Sequence, residues 1–427
     1  MRTHPIIILV LIVVTSLFLF PFNLPVSIVV NTKMVLAVIG AGLFVYDLIR
    51  KREPAVSRQF LILSLICAVI SVWALFSATI NGTADYAFAK YLVSVWVWLG
   101  GAYSVVWLIR QFHGKISIEL AGNYLIAVCV FQCVLAYAML LSTPLKTFIN
   151  SLMGESDMFM GVAEGRIYGL GAALDPAGLR FSGVLVIISH MISRTDFSKH
   201  GWRGVLLLLS FALITVIGSM IARTTMVGTI LGIAYIILQA FLGKGAVGTG
   251  AFWRVAIPVL LVGTGICVWL YNINPMFRAN LRFGFEGFFS LAEKGRWDVR
   301  STTILKNMVT WPESAKTWLI GDGYFDNPLD IPDIFGRVSG GFYKHTDIGY
   351  LRYVFYFGIV GLAGMVIAAI YMTVTCCKAF KEHLWMFVML LTVTLIGWLK
   401  VSSDIIMVFA PFLIMAYLSQ NGQLEKE

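Results

Sequence analysis

The residues best suited to chemistry gather in and around a polar stretch of 78 residues, Asn272 to Gly349, in an otherwise apolar chain. It ends in His345, Thr346 and Asp347, just before an apolar run that starts at Tyr350. An imidazole ordinarily titrates near pH 6.5, so a positioned histidine can take a proton at neutral pH, and His345 is a candidate general base. Asp347 can orient that ring, although a helix N-cap or first-turn acid would equally account for a carboxylate at this place. The bland reading of His345 is a solvated loop residue.

Four arginines supply the complementary chemistry. Arg223 stands in Ser219 to Thr225, a joint between two apolar runs with almost no loop. An arginine at membrane depth costs about 2.5 to 3.5 kcal/mol on insertion scales, so it needs a partner unless it snorkels to the interface. A planar guanidinium holds phosphate oxygens bidentately, which makes a diphosphate its natural counter-ion. Arg166 precedes Ile167, Tyr168 and Gly169, with Asp175 and Pro176 further on. Asp175 and Arg180 fall inside an apolar run, where they are expected to pair or to line a cavity, with Pro176 breaking the helix. Arg296 and Arg300, four residues apart, could share one face of a loop helix, or simply be solvated. The six cysteines lie in apolar runs or one short joint, and neither a zinc-type CxxC pattern nor a phosphate-binding P-loop occurs. Neither a metal nor a nucleotide cofactor is expected.

The elements that must position these residues follow from composition. A chain of 427 residues that is 59% hydrophobic and 13% charged, with mean hydropathy +0.85, is far from a soluble domain. The fold expected is an all-α polytopic membrane protein of about twelve spans. The candidate spans are 6–20, 26–48, 60–80, 88–109, 118–141, 170–192, 204–221, 225–242, 255–271, 350–373, 384–400 and 402–419. Residues 1–271 would hold nine spans, 272–349 a long loop, and 350–427 three more, all in one membrane domain. Lys and Arg concentrate in alternate joints, from Arg50, Lys51 and Arg52 to Lys378 and Lys381. That bias puts both termini in the cytoplasm and the long loop outside, which is the periplasm in a bacterium with two membranes. The first apolar run lacks a small-residue cleavage site and is expected to stay as a helix. The net charge of +10 partly reflects the inner-face excess and could also attract anionic lipid phosphates. Within the loop a short amphipathic helix is expected inside 290–308, starting near Gly295 to Asp298. The turn-rich run from Gly321 to Pro328 reads as a flexible lid or binding loop.

Taken together, the motifs resemble those of the O-antigen ligase and O-antigen polymerase family of bacterial envelope glycosyltransferases. The residues that carry the resemblance are Arg166 to Gly169 with Asp175-Pro176, Ser219 to Thr225 around Arg223, Gly295-Arg296, Leu319 to Tyr324, His345 to Leu351, and Tyr356 to Gly361. The resemblance spans about residues 165 to 365 in order, and it departs where an asparagine often follows Pro176, since Ala177 stands here. It implies a metal-independent inverting glycosyltransferase at the periplasmic face of the inner membrane. Such an enzyme takes a glycan from an undecaprenyl diphosphate donor and needs no cofactor. By the resemblance, Arg223 and Arg296 contact the diphosphate and His345 serves the acceptor; Arg166 and Arg300 join the diphosphate candidates on residue type.

The acceptor would be another lipid-linked glycan, as in a polymerase, or lipid A-core, as in a ligase. The form His-Thr-Asp-x-Gly-Tyr-Leu-Arg at 345–352 leans to the polymerase. A lipid-linked oligosaccharide transporter is a weaker alternative, because repeated halves with matching broken helices are absent from the sequence. No nucleic-acid partner is expected.

Overall fold

The structure is a computed structural model and describes residues 4–25, 27–51, 57–154, 166–243, 248–328, 341–403 and 405–420. Its helices run in the order α1 Pro5–Leu19, α2 Thr32–Lys51, α3 Arg58–Asn81, α4 Tyr91–His113, α5 Ile118–Leu141, α6 Thr143–Ser151 and α7 Leu174–Arg194. There follow α8 Gly201–Ile221, α9 Thr225–Phe241, α10 Gly250–Ile273, α11 Pro275–Gly284, α12 Glu286–Lys294, α13 Arg300–Asn307 and α14 Ala315–Leu319. The last three are α15 Gly349–Ala379, α16 Leu384–Gly397 and α17 Ile406–Gln420. A small antiparallel hairpin, β1 Asn23–Leu24 with β2 Ser27–Asn31, joins α1 to α2.

Among the described residues eight helices, α2 to α5, α7, α8, α10 and α15, are long and apolar enough to cross a bilayer. The other four apolar runs form α1, α9, α16 and α17, of 15, 17, 14 and 15 residues. These fall short of the roughly 20 residues that a perpendicular crossing takes. The chain is therefore a membrane-embedded helical protein, with eight of the twelve expected runs meeting the length for a span.

Helix α7 is the axis of the bundle, and 94% of its most apolar window is buried. A lipid-embedded bundle gains little from apolar burial between helices, so close approach through small side chains decides the packing. Here Gly228 of α9 lies so near Ser182 of α7 that an added Cβ would stand 2.2 Å from its Cα. On other sides Gly122 of α5 faces Ile187, and Gly183 faces Val408 of α17. Ser182 Oγ donates to the Thr224 carbonyl at 2.8 Å and accepts from Gly228 N at 3.0 Å, so polar glue holds the same contact.

Helix α15 is broken at Phe357 and Gly358, where Gly358 takes φ +70°. Carbonyls freed by such a break need other donors inside a membrane protein. Ser77 Oγ donates to the Tyr356 carbonyl at 2.8 Å and Trp73 Nε1 to the Phe357 carbonyl at 2.8 Å. Loop amides do the rest: Asp322 N donates to the Phe355 carbonyl and Gly323 N to the Tyr356 carbonyl. The run from Gly321 is thus not a free lid across its described part, because it is plugged into the break of α15 and tied to α3 through Thr83 and Asn81. Residues 329–340, which follow that run, lie outside the described residues.

The loop between α10 and α15 is more helical than the sequence suggested. Asn274 caps α11 by accepting from Phe277 N at 3.0 Å, and Pro275 sits at the first helical position, where its missing N–H costs nothing. Helix α12 ends at Gly295, in the left-handed conformation at φ +66°. The expected helix starting near Gly295 is corrected on this point: 296–299 are a linker between α12 and α13, closed by Trp297 packing over Gly287.

Gly358→Ala meets two obstacles, a positive φ and a Leu319 carbonyl 2.1 Å from the new Cβ. We expect it to lower stability by roughly 2 kcal/mol or more, seen as a lower midpoint of thermal unfolding in detergent, whereas Gly42→Ala, with open space around it, leaves the midpoint in place.

Candidate functional site

The joint that carries Arg223 is shaped before it arrives. Residues 214–218 of α8 widen into a π-turn, a feature that often marks functional positions, and the chain becomes extended at Ala222. Thr225 Oγ1 reaches back to the Gly218 carbonyl at 3.0 Å, which fixes the corner between α8 and α9. Arg223 then projects to the end of the bundle where α11 to α13 lie. Its guanidinium pairs with Glu286, the first residue of α12, and stacks over Phe283 at 4.3 Å. The sequence required either a partner or snorkelling, and the structure supplies the partner.

Phe283 is shared. The Arg166 guanidinium lies 5.3 Å from the same ring. Glu286 is shared as well, since its other oxygen accepts from the backbone N–H of Arg300 at the start of α13. Around them opens a cavity of about 720 Å³, lined by Arg166, Arg223, Arg300, Arg282 and Lys294 with three carboxylates, Glu286, Glu293 and Asp298. Five cations against three carboxylates leave an excess of positive charge in the described lining. Guanidiniums in excess over carboxylates are the chemistry that suits an anion.

The structure thus brings Arg166, Arg223 and Arg300 together and leaves Arg296 apart. Arg296 stands in the linker after Gly295, not one turn before Arg300 on a shared helix, and its side chain is 77% exposed, 3.9 Å from Asp298. The left-handed Gly295 breaks the helical spacing on which the expected common face depended.

His345 and Asp347 do not line the arginine cavity either. They close the loop ahead of α15. Lys344 and His345 both take positive φ, +54° and +57°, conformations that cost non-glycine residues roughly 1 to 3 kcal/mol and tend to cluster at functional sites. Phe342 and Tyr343 carbonyls hold this turn, accepting from His345 N at 2.9 Å and Thr346 N at 3.3 Å. Asp347 is not the N-cap of α15. That place belongs to Ile348, whose N–H is taken by Thr346 Oγ1 at 3.3 Å. Burial instead pushes the Asp347 carboxyl up to about 7, with Asp175 adding to the rise while Arg352 and Lys400 oppose it.

Asp175 is the hinge between these parts. It pairs with Lys400 Nζ at 2.8 Å and accepts from Thr224 Oγ1 at 3.2 Å, the residue next to Arg223. The expected Asp175–Arg180 pair is corrected accordingly; Arg180 lies over the Phe20 ring at 5.7 Å. Nor does Pro176 break the helix, because α7 begins only at Leu174 and places the proline in its first turn. Leu174 itself is forced to φ +57°.

Two residues were left unassigned by sequence reasoning. Glu286 looked like one of many loop acids, and nothing local marks it. Arg352 did carry a signal, as a charge in the first turn of an apolar helix. It is buried, pairs with Asp326 at 2.8 Å, donates to Ser402 Oγ at 2.8 Å and stacks on Phe325 at 3.6 Å and Phe342 at 4.4 Å. It clamps the described loop ends on α15. No cluster of three potential metal ligands occurs among the described residues.

The fold and site define a helical membrane protein with an arginine-lined cavity at one end of its bundle. No protein-family model matches the chain, and neither a curated protein nor a solved structure is detectably similar to it.

Inorganic pyrophosphate is expected to bind the purified protein, and Arg223→Ala to weaken that binding by at least about tenfold, the worth of one charge-assisted contact. Isothermal titration in nanodiscs checks this; equal affinity in the variant would detach Arg223 from anion binding.

Proposed function

We propose that the protein is a glycosyltransferase that takes a glycan from undecaprenyl diphosphate and joins it to a second lipid-linked glycan, acting as a polymerase of surface polysaccharide repeats at the periplasmic face of the inner membrane. The observation that carries the reading is the convergence of Arg166, Arg223 and Arg300, from three separate segments, on one positive cavity at an end of a membrane bundle. A diphosphate on a membrane-anchored lipid is the anion that such a site suits. The ordered motifs from Arg166 to Gly361 support the same class.

The chemistry asks for little more. The diphosphate is already a good leaving group if cations stabilise the charge that develops on it. A sugar hydroxyl needs its proton removed, which contributes typically 10² to 10⁴ in rate. In a single displacement with inversion, the acceptor oxygen bonds to the anomeric carbon as the bond from that carbon to the diphosphate oxygen breaks. The diphosphate leaves with the electron pair against Arg223 and Arg300, and the hydroxyl proton passes to a base. His345 and Asp347 both stand near the end of the loop. Asp347 suits the role of base in its own right, since a carboxyl raised to about 7 takes up a proton where an ordinary one cannot. His345, held in its strained turn, then orients the acceptor or assists the proton's departure.

Incubation of the purified protein with undecaprenyl diphosphate-linked repeat units, with and without lipid A-core, tests the reaction. Chain growth supports polymerisation, modification of the core points to a ligase instead, and no new bond removes the reading. Asp347→Asn should lower the transfer rate by roughly 10² or more. In the parent protein the base works only when ionised, so the rate should rise with pH through about 7, and this limb should vanish in the variant. His345→Ala should lower transfer while donor binding stays nearly intact, as measured by titration with the donor lipid.

A further inference from the structure

All three carboxylates in the described lining of the arginine cavity are already committed to cations of the same lining. Glu293 pairs with Arg282 at 2.7 Å and Asp298 with Lys294 at 2.8 Å, through side chains that stand between 35% and 55% exposed. Water screens such pairs, many of which contribute nothing measurable, so an incoming anion opens them easily. Glu286 and Arg223 form the third pair, and at 32% and 19% exposure it is the most withdrawn from water of the three. It is therefore the pair that resists an anion most.

Glu286 occupies the place of a bound anion. One of its carboxylate oxygens takes a guanidinium N–H of Arg223 and the other the backbone N–H of Arg300 at 3.2 Å, so both engage donors that a phosphate oxygen would use. Arg166 and the side chain of Arg300 pair with none of the three carboxylates. Those two cations are open to a first contact, whereas Arg223 has to be taken from Glu286. The guanidinium of Arg223 is held independently of that carboxylate, because it stacks on the Phe283 ring at 4.3 Å, and Arg166 lies over the same ring at 5.3 Å. A ligand that reaches Arg223 through another N–H of the fork still meets the charge of Glu286 beside it, and like charges at such range repel.

We propose that Glu286 is the specificity-determining residue of this cavity: a resident counter-ion on Arg223 that yields to an anion with two phosphate groups, able to bridge Arg223 to Arg166 or Arg300, and excludes a single phosphate, which gains too few contacts to displace it. The inference rests on the reading of this cavity as the diphosphate site and adds what keeps smaller anions out. Without the carboxylate, the excess of cations would take up any phosphate.

Isothermal titration of the full-length protein in nanodiscs with inorganic pyrophosphate and, separately, orthophosphate tests this. The parent should bind pyrophosphate and give no orthophosphate signal at concentrations where pyrophosphate saturates. Glu286→Gln, which removes the charge and keeps an oxygen for the Arg300 N–H, should tighten pyrophosphate about tenfold, the lower end of the worth of a hydrogen bond to a charged group, and bring orthophosphate into the measurable range. In an Arg223→Ala background the same substitution should tighten pyrophosphate by at most about threefold, since the pair on which it acts is gone. Glu286→Asp, which keeps the charge but draws it back by one methylene, should tighten pyrophosphate by an intermediate amount, and it decides the matter where the Gln variant does not fold. Pyrophosphate affinity equal to or weaker than the parent's in the folded variants would make Glu286 a positioning residue for Arg223 and overturn the inference while leaving the diphosphate site standing, as would equal affinity of the parent for the two anions. Binding of neither anion by the parent or any variant removes the site and the inference together.

Discussion

Charge withdrawn from water must find a partner, and in this chain the half-buried ion pair between Asp175 and Lys400 is where that constraint organises the most structure. Asp175 sits in the first turn of α7, where the exposed N–H groups of a helix start favour a carboxylate. Lys400 comes from the far end of the sequence, in the joint between α16 and α17, and Thr224 from the corner between α8 and α9. Three separate connections are thus fixed to the end of the central helix. These contacts tie the three corners to one another. Arg223 inherits its direction from this arrangement, as the neighbour of Thr224.

The same logic repeats on either side. Glu286 bridges the Arg223 guanidinium and the N–H of Arg300, so the start of α13 is anchored to the corner after α8 through one carboxylate. Arg352 binds the described loop ends to the first turn of α15 and to Ser402. The break in α15 adds a backbone version of the theme: carbonyls released at Gly358 are taken by α3 and by Asp322 and Gly323. The polar loop is held to the apolar bundle by satisfied donors and charges together with apolar anchors such as Phe277 and Phe325. That suits a surface expected to handle anions and sugars, because the groups are pre-oriented before a ligand arrives. The left-handed backbones at Leu174, Lys344 and His345 fall beside this network, where surrounding contacts can hold strained conformations.

How much of this was legible in the sequence depends on the range of the interaction concerned. Apolar run length and composition are local properties, so the helical membrane class was readable, along with the placement of the polar loop. Arg223 was readable as a charge that needed either a partner or an escape to the interface. Glu286, 63 residues away in sequence, was not, since nothing in its neighbourhood distinguishes it from other loop acids. Arg296 and Arg300 show the opposite failure. Their spacing implied a common face, and a single left-handed glycine at 295 removed the helix that would have provided it. Asp175 and Arg180 were near enough in sequence to suggest a pair, yet each found a distant partner, Lys400 and Phe20.

The sequence by itself determined that the chain enters a membrane, where its long polar insertion lies, and which cations and carboxylates fall within or beside its apolar runs, because hydrophobicity and charge act residue by residue. Only the tertiary structure decided that Arg166, Arg223 and Arg300 share a cavity and that Asp347 is half-buried within electrostatic reach of Asp175 rather than capping a helix. Those outcomes turn on helix ends from opposite halves of the chain meeting at one place, and the geometry of a meeting is set by close glycine and serine contacts and by satisfied backbone groups along the whole bundle.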